Sequence, residues 1–215
     1  MKPVRILIFA KAPQPGFAKT RLIPALGAQG AADLARNMLT HTLDKALAAN
    51  VGPVELCVTP SAADPVWQTL AIPDAVSWSD QGEGDLGERM ARATQRVIDA
   101  GESVLLIGTD CPELSIDHLQ QASSELRRID VSLFPTADGG YALLGLNRFH
   151  PSLFADIAWS TDTVAFETLC RLGQLCWTAH SHPQLHDIDE PADLKWLPVR
   201  WTKGLCADFV TILAH

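Results

Sequence analysis

Residues 103–114, SVLLIGTDCPEL, pass from an apolar run through Gly108 and Thr109 to an aspartate and a proline. Val104, Leu105, Leu106 and Ile107 show no polar alternation, which predicts a strand buried on both faces in the middle of a parallel sheet. Asp110 then stands at the carboxyl end of that strand, where open α/β sheets bind ligands. Pro112 turns the chain away. A carboxylate in that place can hold a divalent cation; the same residue type also serves as a turn or helix-cap aspartate.

Working outward, strands and helices alternate. Strands are expected at VRILIFA (4–10), VELCVT (54–59), AVSWS (75–79), VSLFPTA (131–137), YALLGL (141–146) and LCWTAH (175–180). Helices are expected at 28–50, stopped by Gly52-Pro53; at 64–71, a short one; at 85–101, closed by Gly101; at 116–127; and at 163–172. The stretch HDIDEPADLKWL (186–197) reads as a strand end running into a helix that starts at Pro191. This order predicts an α/β fold: one domain over residues 1–215, three layers α/β/α, a mostly parallel mixed sheet with helices on both faces.

Composition agrees. The chain has 215 residues, 47% hydrophobic and 20% charged, which is ordinary for a globular protein. Its apolar runs fall far short of the roughly 20 residues that a membrane-spanning helix needs, and the first residues lack a signal-peptide pattern, so a cytoplasmic location is expected. Five cysteines without a CxxC pair read as reduced packing residues. A net charge of -8 argues against a nucleic-acid binder. Residues 1–27 nevertheless carry Lys2, Arg5, Lys11, Lys19 and Arg21 and no acid, a local excess suited to a small polyanion.

That excess draws attention to FAKAPQPGFAKTRL (9–22), which follows the first strand. A P-loop requires G-x-x-x-x-G-K-[ST], and here Lys19 lies three residues beyond Gly16 with no earlier glycine in the loop. The dinucleotide fingerprint G-x-G-x-x-G is absent as well. What remains is a loop stiffened by Pro13 and Pro15 that carries Lys11, Lys19 and Arg21 to the sheet's carboxyl rim. There they can meet phosphates, or stand as a solvated surface loop.

Asp187 and Asp189 are two apart, so in extended chain they point the same way, and one or both can face Asp110. Magnesium takes one or two protein carboxylates plus phosphate oxygens and water, which Asp110 with Asp189 would satisfy. A helix cap is the alternative for the Asp187-Asp189 pair. His180, His182 and His186 have a spacing that could bind zinc, or are plain hydrogen-bonding residues. Cys111 reads as packing rather than as a nucleophile. Trp159 could stack on an acceptor or belong to a capped helix start, while Trp67, Trp177, Trp196 and Trp201 read as core or interface. The tail VRWTKGLCADFVTILAH (199–215) is apolar enough to dock on the domain or on a second copy, as in a homodimer.

Taken together, KAPQPGFAKTRL, GDLGERM, IGTDCPEL, PTADGGYALLGL and DIDEPADL resemble the GT-A-fold transferases of the nucleotide-diphospho-sugar transferase superfamily. The nearest likeness is to a bacterial family labelled glycosyltransferase, of the arsenosugar-biosynthesis and radical-SAM/selenodomain-associated type. The chain is also similar to 2-phospho-L-lactate guanylyltransferases, through Lys19 to Leu22, and to molybdenum-cofactor nucleotidyltransferases, through DIDEPADL. The resemblance implies nucleotide binding by Lys11, Lys19, Arg21, Gln81, Gly84, Asp85, Leu86 and Gly87, with the Gln81 amide at the nucleobase. It implies Mg2+ or Mn2+ on Asp110 and Asp189. It puts Gly139, Gly140 and Tyr141 on the acceptor side, with Asp138 as a candidate general base; Asp138-Gly139 between apolar runs is equally a hairpin signal.

Two reactions fit such a site: transfer of a sugar from a nucleotide-diphospho-sugar donor to a small-molecule acceptor, or transfer of a nucleotide to an acceptor phosphate with release of pyrophosphate. Many sugar transferases carry D-x-D where this chain has Thr109-Asp110-Cys111, an arrangement closer to the nucleotidyltransferases. A catalytically silent nucleotide-binding module would keep the same cations.

Overall fold

Val4–Lys11 (β1) and Ser103–Ile107 (β4) form the central parallel pair of a seven-stranded sheet, with Ile6 opposite Leu105 and Ile8 opposite Ile107. The computed structural model describes residues 2–198 and Trp201. Outside β1 lie Val54–Thr59 (β2) and then Val76–Asp80 (β3), both parallel to it. Beyond β4, Tyr141–Leu146 (β6) runs antiparallel between β4 and Val131–Pro135 (β5), and Ala179–Ser181 (β7) closes the edge parallel to β5. The order is β3-β2-β1-β4-β6-β5-β7. Every residue of β4 is buried, as the unbroken apolar run requires.

Strand alternation divides the core into two faces. Ile6, Ile8, Leu56, Leu105 and Ile107 pack against Leu39, Leu43 and Ala46 of Ile23–Ala49 (α1) and against Leu119 and Ala122 of Ile116–Glu125 (α3). Leu7, Cys57, Val104 and Leu106 face Met90, Ala93 and Val97 of Leu86–Asp99 (α2) and Leu172 of Val164–Gln174 (α4). Each large side chain so buried contributes about 2 kcal/mol. The expected three layers are therefore present.

A third cluster positions the site. Leu22, Leu34 and Met38 bury Ile188, Leu194 and Leu197, which docks the late segment onto α1 and the opening loop.

Some expected elements differ. α1 begins at Ile23 and is broken at Gly27 (φ 71°, ψ 165°), where only glycine is unstrained. The segments at Pro65–Thr69 and Pro191–Trp196 are 3-10 turns, too short for a stable α-helix. The last strand is Ala179–Ser181 alone, because the Trp177 amide donates back to the Leu172 carbonyl and Cys176 adopts φ 53°, finishing α4 first. Cys170 and Cys176 are exposed, against the packing role expected for all the cysteines; Cys57 and Cys111 are buried. Trp67 is core, whereas Trp196 is exposed and stacks on His186. Trp201 lies edge-on to His41, and the rest of the tail 199–215 lies outside the described residues. Among the described residues, no helix is long and apolar enough to cross a membrane.

The three histidines do not converge. His180 and His182 both bond Glu125, at 2.9 Å each, while His186 bonds Glu113. Burial pushes the Glu125 carboxyl up, but hydrogen bonds from Ser132, His182, His180 and Gln121 outweigh it and hold it down to about 2. A folded-state value below the unfolded one stabilises the fold above about pH 4.5, and that stabilisation is lost as pH falls toward 2. Glu125→Gln is expected to lower urea-unfolding stability by about 1–2 kcal/mol at pH 7 and to narrow the gap from wild type at pH 3. A pH-independent difference would remove the assignment.

Candidate active site

The opening loop is held by its own backbone. Phe17 and Ala18 amides donate to the Gln14 carbonyl, Gly16 sits at φ 81°, and Lys19 takes the left-handed conformation at φ 48°. Ala12 and Ala18 are buried beneath it. That turn sends the Lys19 side chain inward, where its ammonium is 2.7 Å from Asp110 Oδ1, 2.7 Å from Asp189 Oδ1 and 2.6 Å from the Ile188 carbonyl. An ammonium has three protons, and these three acceptors account for them. Burial alone would pull the Lys19 pKa down; the charges of Asp110 and Asp189 outweigh it and raise it.

Asp110 and Asp189 thus face one another across a cation, as expected, but the cation is Lys19. In this structure the Lys19 protons are directed at carboxylates and a carbonyl. Neither aspartate is a helix cap. Ser115 caps α3 in a box with His118, and Asp193 accepts the Asp189 and Glu190 amides.

Backbone bonds fix the late segment. The Leu185 amide donates to the Pro135 carbonyl, Ala137 donates to Leu185, and Ile188 donates to the Asp110 carbonyl. Asp187 and Asp189 consequently project together toward the hairpin of β5 and β6. There Asp138 accepts from the Thr136 hydroxyl at 2.6 Å and the Gly140 amide at 2.9 Å, so the turn residue also borders the groove. Carboxylate oxygens of Asp138, Asp187 and Asp189 lie within 4.8 Å of one another. Burial and the Asp138 charge push the Asp187 carboxyl up to about 7. Three converging carboxylates provide the hard oxygen donors that magnesium or manganese prefers. Asp189 is common to this trio and to the expected pair, and both members of that pair, Asp110 and Asp189, bond Lys19.

Around these acids runs a groove with two lobes. The outer lobe, about 480 Å³, is lined by Lys11, Phe17, Lys19, Arg21, Thr59 and Gln81 among others. The inner lobe, about 310 Å³, is lined by Leu106, Tyr141, Trp159, Thr161, Val164 and Asp187 among others. Phe9, Leu86, Thr109, Asp110, Asp138, Ser160 and Asp189 border both. Of the basic residues near the N-terminus, Lys2 and Arg5 are absent from the groove; Lys2 donates to the Asn147 carbonyl, and Arg5 is paired with Glu102 and Glu55 elsewhere on the sheet. Arg21 is exposed, 3.8 Å from Glu190.

Other expected residues also hold the frame of the groove. The buried Gln81 amide nitrogen donates to the Ala10 and Cys57 carbonyls, so it locks the loop while the residue borders the outer lobe. Asp85 caps α2 in a box with Glu88, and Gly84 (φ 100°) leaves room for the Glu88 carboxylate. At Gly87 an added Cβ would lie 2.4 Å from Trp159 Nε1, which explains the glycine as packing against the loop that carries Trp159. Gly139 (φ 90°) abuts the Asp162 carbonyl in the same way; Gly140 and Tyr141 reach the inner lobe. Burial pushes the Cys111 thiol up to about 11, the opposite of an activated nucleophile.

The family model described as "uncharacterized protein conserved in bacteria (DUF2064)" matches residues 42–161. The chain belongs to the DUF2064 family. It is 29% identical over 197 residues to the 2-phospho-L-lactate guanylyltransferase of Methanosarcina mazei, covering 90% of this chain and 86% of that one. The crystal structure of a candidate nucleotide-diphospho-sugar transferase from Desulfovibrio desulfuricans G20 is 32% identical, with a TM-score of 0.83 over 91% of this chain and 86% of that one. Rv0371c of Mycobacterium tuberculosis H37Rv, solved in complex with manganese, shares the fold at 16% identity and TM-score 0.51, over 91% and 98% of the two chains. The DUF2064 chain has the nucleotide-diphospho-sugar transferase fold and is a transferase related to nucleotidyltransferases.

Removing the Lys19 ammonium leaves two facing carboxylates uncompensated. Lys19→Met is expected to lower unfolding stability in EDTA by about 1–2 kcal/mol, less than for a fully buried pair because Asp110 and Asp189 are part-exposed. Added Mn2+ should recover part of the loss, as a melting curve with and without the ion would show. A variant as stable as wild type in EDTA would contradict this electrostatic role.

Proposed function

We propose that the protein transfers a sugar from a nucleotide-diphospho-sugar donor to a small-molecule acceptor, with Mg2+ or Mn2+ as cofactor. The observation that carries the reading is the meeting of a cation-lined lobe and an acid-lined lobe at one carboxylate cluster. Lys11 and Arg21 bind the donor's diphosphate, and Lys19 neutralises Asp110 beside it. Asp138, Asp187 and Asp189 hold the metal, which when bound offsets the charge on the leaving diphosphate. Asp138, whose Oδ1 accepts from Thr136 and Gly140, acts in this reading as a metal ligand rather than as the general base, and Tyr141 and Trp159 shape the wall against which the transferred group rests. Gln81 positions the loop against which the nucleobase lies.

The likeness to a guanylyltransferase favours a second reading, in which a nucleoside triphosphate and an acceptor phosphate give pyrophosphate. Both reactions use the same outer lobe, and the released anion separates them. Incubation with nucleotide sugars and a panel of hydroxyl acceptors is expected to release a nucleoside diphosphate in a metal-dependent way, and nucleoside triphosphates with phosphorylated acceptors to release no pyrophosphate. Pyrophosphate release would establish the second reading, and nucleotide binding with no turnover on a broad acceptor panel would indicate a silent binding module. Asp189→Asn should cut kcat at least about 100-fold while changing stability by less than about 1 kcal/mol; retained turnover at limiting metal would reject the metal assignment.

A further inference from the structure

The two lobes differ in charge more sharply than a shared substrate groove requires. Lys11, Lys19 and Arg21 all border the outer lobe. The inner lobe has no lysine, arginine or histidine in its lining, and four aspartates, Asp110, Asp138, Asp187 and Asp189, stand on its rim. Its walls are otherwise apolar, with Leu106, Met90, Ala142 and Val164, or carry hydroxyls, with Thr109, Thr136, Ser160 and Thr161. Even with a divalent cation on the cluster and Lys19 in place, the four carboxylates are not fully compensated, and a bound diphosphate adds further negative charge. A second anion entering the inner lobe would meet repulsion, since Lys19 is already paired with Asp110 and Asp189, and Arg21, in the adjoining pocket it shares with Thr161, stands beside Glu190.

We infer that the inner lobe takes an uncharged or cationic hydroxyl compound with an apolar face, a free polyol or amino-polyol, and excludes phosphorylated or carboxylated ones. Carboxylates accept hydrogen bonds from hydroxyl and ammonium donors and offer none to a phosphate. The apolar wall of Leu106, Val164 and Tyr141 suits the C–H face of such a ring. This rests on the transferase reading above and narrows its acceptor side: a phosphate acceptor, which the second reading above specifies, is disfavoured by the charge of the lobe that would receive it.

The test uses the full chain with Mn2+ and saturating UDP or GDP, whichever raises the melting temperature. Methyl glucoside, glucosamine and glucose 6-phosphate are then compared by ligand-observed NMR titration. Methyl glucoside and glucosamine are expected to bind at least about ten-fold more tightly than glucose 6-phosphate. Thr161→Lys, which puts a cation on the inner rim, should narrow or reverse that ratio. Leu86→Lys, at an exposed position bordering both lobes, carries the same expectation should Thr161→Lys fail to fold. Equal or tighter binding of glucose 6-phosphate to wild type overturns the inference. So does binding of none of the three, or a ratio that the added lysine leaves unchanged. Absence of any nucleotide stabilisation instead defeats the transferase reading, so the two failures are distinguishable.

Discussion

The ammonium of Lys19, clamped between Asp110 and Asp189, ties together three parts of the chain that the sequence keeps far apart: the loop after β1, the end of β4 and the segment beyond β7. Each part has its own reason to be there. The αL turn at Lys19 and buried Ala12 and Ala18 set the loop. The apolar run of β4 sets Asp110, and the burial of Ile188 against Leu22 and Met38 sets Asp189. The carboxylates would repel one another if brought together alone; a buried cation among them makes the convergence tolerable. Apolar docking and charge compensation therefore act on the same few residues.

From that junction the groove divides by charge. Basic residues border only the outer lobe, acids border both, and the inner lobe adds hydroxyls and apolar walls. The proposed division of labour follows from this asymmetry: anion held outside, metal at the junction, uncharged group inside. A relative solved with manganese shares the fold, and the carboxylate trio here offers donors of the type that such an ion takes.

Much of the fold was legible because its signals are local. The uninterrupted VLLI run, the YALLGL strand and the capped helix from Leu86 depend on nearest neighbours in sequence, and all appear where expected. Short elements were less legible, since LCWTAH has strand-forming residues that the left-handed turn at Cys176 and the Trp177-to-Leu172 backbone bond assign to the end of α4. The site was half legible. Asp110, Asp138 and Asp189 stand on its rim, but the choice of partners is a long-range property. Nothing near Lys19 in sequence shows that its protons meet acids 91 and 170 residues away. Asp187 was visible only as the companion of Asp189, and its convergence with Asp138 depends on the Leu185 backbone bonds. Gly87 has a packing reason that was not legible, since an added Cβ would meet Trp159, far away in sequence.

The central claim, one cation-lined phosphate lobe meeting one carboxylate-bound metal, is tested most directly by a crystal structure with Mn2+ and a nucleoside diphosphate. Anomalous scattering should place the manganese on Asp138, Asp187 and Asp189, with diphosphate oxygens beside Lys11 and Arg21. Manganese bound elsewhere, or a diphosphate seated away from those two side chains, would contradict the account.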